Sequence, residues 1–135
     1  MQVNIIIINE KSSIMKKSIF LGLILFTLYS VNCTYGQDCA TANPKYCKVL
    51  CDTAGIKMTL VTLPAGAKLV THTHPLNYGY AIKGGLFKWQ YEATGKTESV
   101  DMKAGDEFHG GPEAAHHSWN AGKTEIQFLM IEKHD

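Results

Sequence analysis

The sequence predicts an all-β domain in which antiparallel strands form two packed sheets or a barrel, and three observations support this. From Ile56 onward the chain divides into short segments, rich in Val, Ile, Thr, Tyr and Trp, in which apolar and polar residues alternate. Gly and Pro turn signals separate these segments. No helical period appears after residue 36. Many short strands with regular turns are typical of a β-sandwich or β-barrel.

Each predicted strand lies between two turn signals. The first, with the sequence IKMTLVTL, ends at Pro64-Ala-Gly66, and the third ends at Gly84-Gly85. The eight predicted strands span 56–63, 67–74, 78–83, 86–92, 97–102, 107–110, 116–120 and 125–132. Closing such strands into a double sheet would leave few exposed edges, which favours an antiparallel barrel.

The first 36 residues have the pattern of a leader. Two lysines precede an uncharged, mostly apolar run at 19–29, and small residues follow near Gly36. Because a membrane span needs about 20 apolar residues, this pattern predicts a signal peptide and no stable membrane span. The protein is therefore expected to be exported, to a periplasm or out of the cell. Anchoring as a lipoprotein through Cys33 is the less favoured alternative.

Residues 37–55 are predicted to form an arm that contains cysteines, ahead of the β-barrel domain at 56–133. In an oxidising compartment two of Cys39, Cys47 and Cys51 could pair and leave one over. The spacing does not decide which two. A structural disulfide is favoured over a cysteine-rich metal site, because the paired Cys-x-x-Cys spacing is missing.

The charge balance disfavours nucleic acid as a partner. The chain carries 13 basic and 12 acidic residues, and every basic residue is lysine. The planar guanidinium group that grips phosphates and guanine edges is therefore absent. A basic surface large enough to track a nucleic acid is not expected.

A His-x-His pair, His72 and His74, lies in the second predicted strand. Side chains alternate between the faces of a strand, so both imidazoles face the same side and can share one metal ion. A third nitrogen must come from a later strand, where His109, His116 and His117 are the candidates. On this evidence alone, ordinary polar surface would be the commoner explanation of such a pair.

Two segments resemble the two sequence motifs of the cupin superfamily. The matching residues are Gly66, His72, His74 and Gly85 in the first motif, and Gly105, Asp106, Pro112, His116 and Asn120 in the second. The spacing selects His116 over His117, although Pro112 lies one residue later than usual. The resemblance implies a cupin fold, which is a double-stranded β-helix or RmlC-like jelly roll.

The resemblance also implies a metal site formed by His72, His74 and His116. The ion would be divalent, and Zn, Fe, Mn, Ni and Cu all accept imidazole ligands. Tyr78 stands where many cupins have a glutamate ligand, so the ligands are neutral and the charge of the ion favours a small anionic substrate. Tyr78 and His109 are the candidate catalytic residues, with pocket lining and plain strand packing as the alternatives.

Two functions follow from this resemblance. The first is an exported metalloenzyme of the dioxygenase, isomerase or lyase type, and the alternative is a non-catalytic module that binds a small ligand such as a sugar acid. The sequence does not decide between enzyme and binding module, because cupins include both. Glu107 and Glu113 could supply a general base, although loop carboxylates are usually solvated. Phe87 and Trp89 are expected in the core, and analogy with cupins suggests a homodimer.

Overall fold

The structure is a computed structural model that describes residues 36–134. Within these residues a short helix precedes nine β-strands. The helix α1 spans Cys39–Ala42, and the strands are β1 (Cys47–Thr53), β2 (Ile56–Leu63), β3 (Lys68–His74), β4 (Asn77–Lys83), β5 (Gly85–Tyr91), β6 (Thr97–Met102), β7 (Glu107–Gly110), β8 (Glu113–Asn120) and β9 (Ile126–Lys133). The predicted signal peptide, except for Gly36, and Cys33 lie outside the described residues. No helix in 36–134 is long and apolar enough to cross a membrane.

The nine strands form two antiparallel sheets, which confirms the predicted fold class. One sheet has five strands in the order β1-β2-β9-β4-β7, and the other has four in the order β3-β8-β5-β6. Neighbours such as β4 and β9 are far apart in sequence, so the chain passes repeatedly between the two sheets.

Strand β1 was not predicted, and it adds part of the cysteine-containing arm to the larger sheet. It pairs with β2 at the edge of that sheet. Only Cys47 is buried in this strand, while the other six residues are exposed. An edge strand with so little burial has no alternating hydrophobic pattern for sequence analysis to detect.

The core lies between the two sheets. Strand β9 contributes Ile126, Phe128 and Met130 from its inward face, and β2 contributes Val61 and Leu63. The Phe128 ring packs edge-on against two aromatic rings, at centroid distances of 5.8 Å to Phe87 and 5.6 Å to Phe108. Aromatic packing therefore joins β9 in one sheet to β5 in the other.

Strand β3 changes register beside β8, and this change sets the direction of the histidines. Leu69 and His72 are both buried although they are three residues apart, and the ladder to β8 is irregular between them. Burial alternates from His72 to His74, so His74 is buried as well, although the ladder to β8 is irregular between these two residues too. Val70, which would share the histidines' face in an undistorted strand, is 60% exposed.

Candidate metal centre

Three buried histidines meet between the sheets. His72 and His74 come from β3, and His116 lies directly opposite His72 on the neighbouring strand β8. Their ring centroids are 4.8 Å apart for His72 and His74, 4.5 Å for His72 and His116, and 5.3 Å for His74 and His116. The structure thus brings together the three histidines that the sequence predicted as metal ligands.

The hydrogen bonds of the three rings determine which nitrogen of each ring can bind a metal ion. His72 Nδ1 lies 2.6 Å from the carbonyl oxygen of Val70, and His116 Nδ1 lies 2.8 Å from that of Ala114. His74 Nδ1 lies 2.7 Å from Glu132 Oε1. Because these partners are oxygen acceptors, each Nδ1 carries the proton and donates it. A neutral ring that donates from Nδ1 has its lone pair on Nε2, as in metal-binding histidines.

Burial keeps two of these rings uncharged at neutral pH. It lowers the pKa of His72 to about 3, against an ordinary value of 6.5, although the hydrogen bond to Val70 partly opposes the shift. Burial also lowers the pKa of His116. Only neutral imidazole can bind a metal through Nε2, so protons compete weakly for this site.

Glu132 provides a buried carboxyl group behind His74. It lies on β9, it is 1% exposed, and its Oε1 accepts the hydrogen bond from His74. Its second oxygen, Oε2, has no hydrogen-bond partner among the described residues. A carboxylate that orients a histidine is a frequent partner of metal sites, and it makes the ring a stronger ligand.

Two further side chains, Cys39 and Glu113, lie close enough to the histidines to share a metal ion with them. Potential donor atoms of Cys39, His72 and His74 lie within 4.8 Å of one another, and the same holds for His74, Glu113 and His116. His74 is common to both groups. The Oε2 atom of Glu113 is 3.8 Å from His116 Nε2.

The donor set is chemically suited to a divalent transition metal. Three imidazoles whose Nδ1 atoms are hydrogen-bonded, a thiol and a carboxyl group are ligands that Zn and Fe accept, among others. The buried Oε2 atom of Glu132 has no hydrogen-bond partner among the described residues, and a nearby cation would compensate the cost of its burial. These residues fit a metal ion, but their types do not select which one.

A cavity of about 630 Å³ adjoins the histidines. Its lining combines polar side chains with the aromatic rings of Phe87, Trp89, Phe108 and Phe128. Phe87 and Trp89 were expected in the core; Phe87 does pack against it, and it borders the cavity as well. The volume is typical of sites that hold a small molecule.

Tyr78 and His109, the predicted catalytic residues, lie together but apart from the three histidines. They are paired across β4 and β7, and their rings stack at a centroid distance of 6.2 Å. Tyr78 is 54% exposed and faces outward from β4. His109 is exposed and borders the cavity. Their catalytic roles stay a prediction.

Asn77, rather than Tyr78, faces the site at the start of β4. Its side chain is buried, borders the cavity and donates from Nδ2 to the carbonyl oxygen of Pro75 at 3.0 Å. Because the chain bends through Pro75 and Leu76, the alternation of β3 does not continue into β4. The position expected to hold a carboxylate ligand therefore points outward.

His117 and Glu107 do not join the cluster of histidines. The Nδ1 atom of His117 lies 2.8 Å from Glu92 Oε1, and its ring stacks on Trp119 on the face of β8 opposite to His116. Glu107 is exposed, although it borders the cavity. His117 is therefore a suitable control for mutations of His116.

Comparison with solved structures identifies the fold. A cupin domain from Bordetella pertussis superposes with a TM-score of 0.59 at 20% identity, covering 66% of this chain and 92% of that one. An RmlC-like cupin family protein with a double-stranded β-helix fold, from Methanocaldococcus jannaschii, gives a TM-score of 0.55 at 16% identity, over 65% and 78% of the two chains. The chain has the cupin fold. No protein-family model and no curated protein matches the sequence.

The cupin fold explains the second motif in structural terms. Asn120 is fully buried, and its Nδ2 donates to the carbonyl oxygens of Leu63 at 2.9 Å and Thr124 at 2.7 Å. Its Oδ1 accepts from the Gly122 amide at 2.9 Å. Asn120 thus ties the end of β8 to β2 and to the β8–β9 turn, four residues from His116.

Two site residues were missed by the sequence analysis. Glu132 lies on the inward face of β9, after Ile126, Phe128 and Met130. A glutamate that continues a series of inward-facing apolar residues could have been recognised as a buried carboxyl group with a specific role. Cys39 was expected as a possible partner in a disulfide, which was favoured over a metal site. No local pattern placed it beside His72 and His74.

The stability of the metal-free protein should fall on acidification. Because the pKa of His72 is lower in the folded state than in the unfolded chain, the unfolded state binds more protons between about pH 6.5 and pH 3. The contribution of His72 to the free energy of unfolding is fully present above this pH range and is lost as the pH decreases through it. Thermal unfolding in a chelator at about pH 7.5 and about pH 5 measures this, since each kcal/mol lost lowers Tm by about 4–8 °C. His72→Gln should flatten the pH dependence and His117→Gln should keep it; an equal dependence in all three proteins would contradict the explanation.

Replacing Glu132 by Gln should weaken metal binding by about 10–100-fold, because the charge that supports His74 is lost while the shape is kept. Isothermal titration with Zn(II) measures the change. Glu125→Gln is the matched control, since Glu125 pairs with Lys83 at the surface. An unchanged affinity in Glu132→Gln would show that the carboxyl group does not support the site.

Proposed function

We propose that this chain binds a divalent metal ion through His72, His74 and His116 and presents it to a small molecule in the adjoining cavity. The observation that carries the proposal is the set of three Nδ1 hydrogen bonds to oxygen acceptors. These bonds occupy Nδ1 in three neighbouring buried rings and leave Nε2 of each ring as the nitrogen that would bind the metal. Histidines on the surface can hydrogen-bond to water instead, so a buried set of three with protein partners indicates a specific role.

The surroundings of the site indicate the kind of ligand. Asp106, Glu107 and Glu113 border the cavity, and within the described part of the chain no lysine does. An anionic group would therefore be held only by the positive charge and Lewis acidity that a bound metal supplies. The aromatic rings would pack against the rest of the molecule and exclude water. A small molecule with an apolar body and one anionic, metal-binding group suits this cavity best.

Catalysis is a further part of the proposal, and Glu113 supports it. Its carboxyl group lies beside His116 and borders the cavity, so it can hold or accept a proton next to a bound ligand. The reaction would be of the dioxygenase, isomerase or lyase type. A non-catalytic module for a ligand such as a sugar acid is the alternative, and product formation by the metal-loaded protein distinguishes the two.

Export and dimerisation are separate proposals. The leader pattern of residues 1–36 supports export to a periplasm or out of the cell, with a lipid anchor at Cys33 less favoured. The outward face of β4 carries Tyr78, Tyr80 and Ile82, which are 54%, 52% and 40% exposed. This apolar strip supports a homodimer, because such patches often mark interfaces.

Untagged protein should contain or take up about one divalent ion per chain. His116→Ala should weaken the binding by more than about 100-fold, because removing a ligand costs more affinity than removing a residue that only orients one. Elemental analysis, followed by titration of chelator-treated protein with Zn(II), Fe(II), Mn(II), Ni(II) and Cu(II), measures both effects.

His117→Ala is the matched control, because it removes the neighbouring imidazole on the opposite face of β8 and should leave the affinity unchanged. Wild-type protein that holds no metal and takes up none would contradict the proposed function. So would equal losses in the two variants.

A further inference from the structure

Cys39 occupies a fixed position next to the histidines. It is the first residue of α1, it is 1% exposed, and it borders the cavity. Its sulfur lies within 4.8 Å of one ring nitrogen of His72 and one of His74. A thiolate is a strong ligand for the metals that imidazole binds.

The segment before Cys39 is docked onto the centre of the His-x-His pair. The Thr73 amide donates to the carbonyl oxygen of Gln37 at 3.1 Å, and the Thr73 hydroxyl donates to that of Gly36 at 2.9 Å. A Cβ atom on Gly36 would clash with Thr73 Cγ2, so the two segments are in close contact. These contacts bring the cysteine to the site as part of the fold.

Contacts on both sides of Cys39 hold this segment further. Asp38 forms an ion pair with Lys57 of β2 at 3.3 Å and accepts a hydrogen bond from the Ala40 amide at 3.0 Å. The Asn43 side chain donates to the carbonyl oxygen of Cys39 at 3.2 Å and accepts from the Val70 amide at 2.7 Å. Cys39 is therefore positioned by β2 and β3 together.

Cys39 has a second partner of a different kind. The Sγ atoms of Cys39 and Cys47 are 3.4 Å apart, and both thiols are buried. Cys51 is exposed and has no part in this contact. A small movement would allow the first two sulfurs to bond, since a disulfide needs about 2.05 Å between them. One sulfur cannot be both a disulfide partner and a metal thiolate.

We infer that Cys39 is a redox-controlled ligand of the metal site. In the reduced protein it binds the ion as a thiolate beside the histidines, and its thiol proton passes to solvent. In the oxidised protein a Cys39–Cys47 disulfide withdraws it, and the histidines hold the ion alone. The inference rests on the proposed function, and it adds a means by which the redox state of the surroundings changes the charge of the site.

The oxidation is a thiol–disulfide exchange. The metal-bound Cys39 thiolate, the Cys47 thiol and one small-molecule disulfide give one protein disulfide and two small-molecule thiols; the two electrons come from the protein sulfurs, one proton comes from Cys47 and the other from solvent. Withdrawing the thiolate raises the net charge of the metal and its ligands by one. The oxidised form should therefore hold an anionic ligand more strongly than the reduced form.

Cobalt(II) tests the inference directly, because a thiolate ligand gives a near-ultraviolet charge-transfer band that imidazole ligands lack. Metal-free, full-length protein is reduced with a phosphine and titrated anaerobically with Co(II). Reduced wild type should show the charge-transfer band together with the visible bands of protein-bound cobalt. Glutathione disulfide should abolish the charge-transfer band but not the visible bands, and the phosphine should restore it.

Three cysteine variants separate the possible causes. Cys39→Ser should bind cobalt without the charge-transfer band. Cys47→Ser should keep the band after a treatment with glutathione disulfide that abolishes it in wild type. Cys51→Ser should behave as wild type throughout. Because reduced and oxidised wild type are compared as well, the test does not depend on the folding of Cys39→Ser.

The failures of the two proposals are distinguishable. Visible cobalt bands without the charge-transfer band in reduced wild type would overturn the role of Cys39 and leave the histidine site intact. A charge-transfer band that persists in Cys39→Ser would do the same. If no cobalt binds at all, the proposed function fails, and the role of Cys39 fails with it.

Discussion

The hydrogen bond between His74 and Glu132 is the interaction on which the site depends. It joins β3 of the four-stranded sheet to β9 of the five-stranded sheet at 2.7 Å, between side chains that are almost fully buried. A buried carboxyl group is costly unless it is hydrogen-bonded, so this contact restricts how the sheets can be placed. The same contact keeps the proton of His74 on Nδ1. One hydrogen bond thus contributes both to the packing of the two sheets and to the orientation of a metal ligand.

The site retains polar groups that the protein alone leaves without compensation. Glu132 Oε2 has no hydrogen-bond partner in the described chain, and burial keeps His72 and His116 neutral. A divalent ion would offset the carboxyl charge and occupy the nitrogen lone pairs, so its binding would stabilise the fold by linkage. The cost of this polar cluster in the metal-free protein is consistent with a binding role, because well-packed apolar side chains would give a more stable core.

The sequence predicted the fold well because hydrophobic alternation and turn residues are local signals. The bounds of β2, β6 and β7 agree with the predicted strands. Strand parity paired His72 with His74, and the resemblance to the cupin motifs supplied His116 as the third member of the cluster. Tyr78 was expected near the histidines, but it faces outward, since the bend at Pro75 and Leu76 shifts the parity of β4. Glu132 and Cys39 reach the site through contacts between distant segments, which periodicity does not reveal.

The most direct test of the account is anomalous X-ray diffraction from crystals of metal-loaded protein, recorded on both sides of the absorption edge of the metal. The account predicts one strong peak between the rings of His72, His74 and His116, about 2.0–2.1 Å from each Nε2 atom if the metal is zinc. It also predicts that each Nδ1 atom keeps its oxygen acceptor. A peak elsewhere, or metal bound through Nδ1 with the hydrogen bond between His74 and Glu132 broken, would contradict the account.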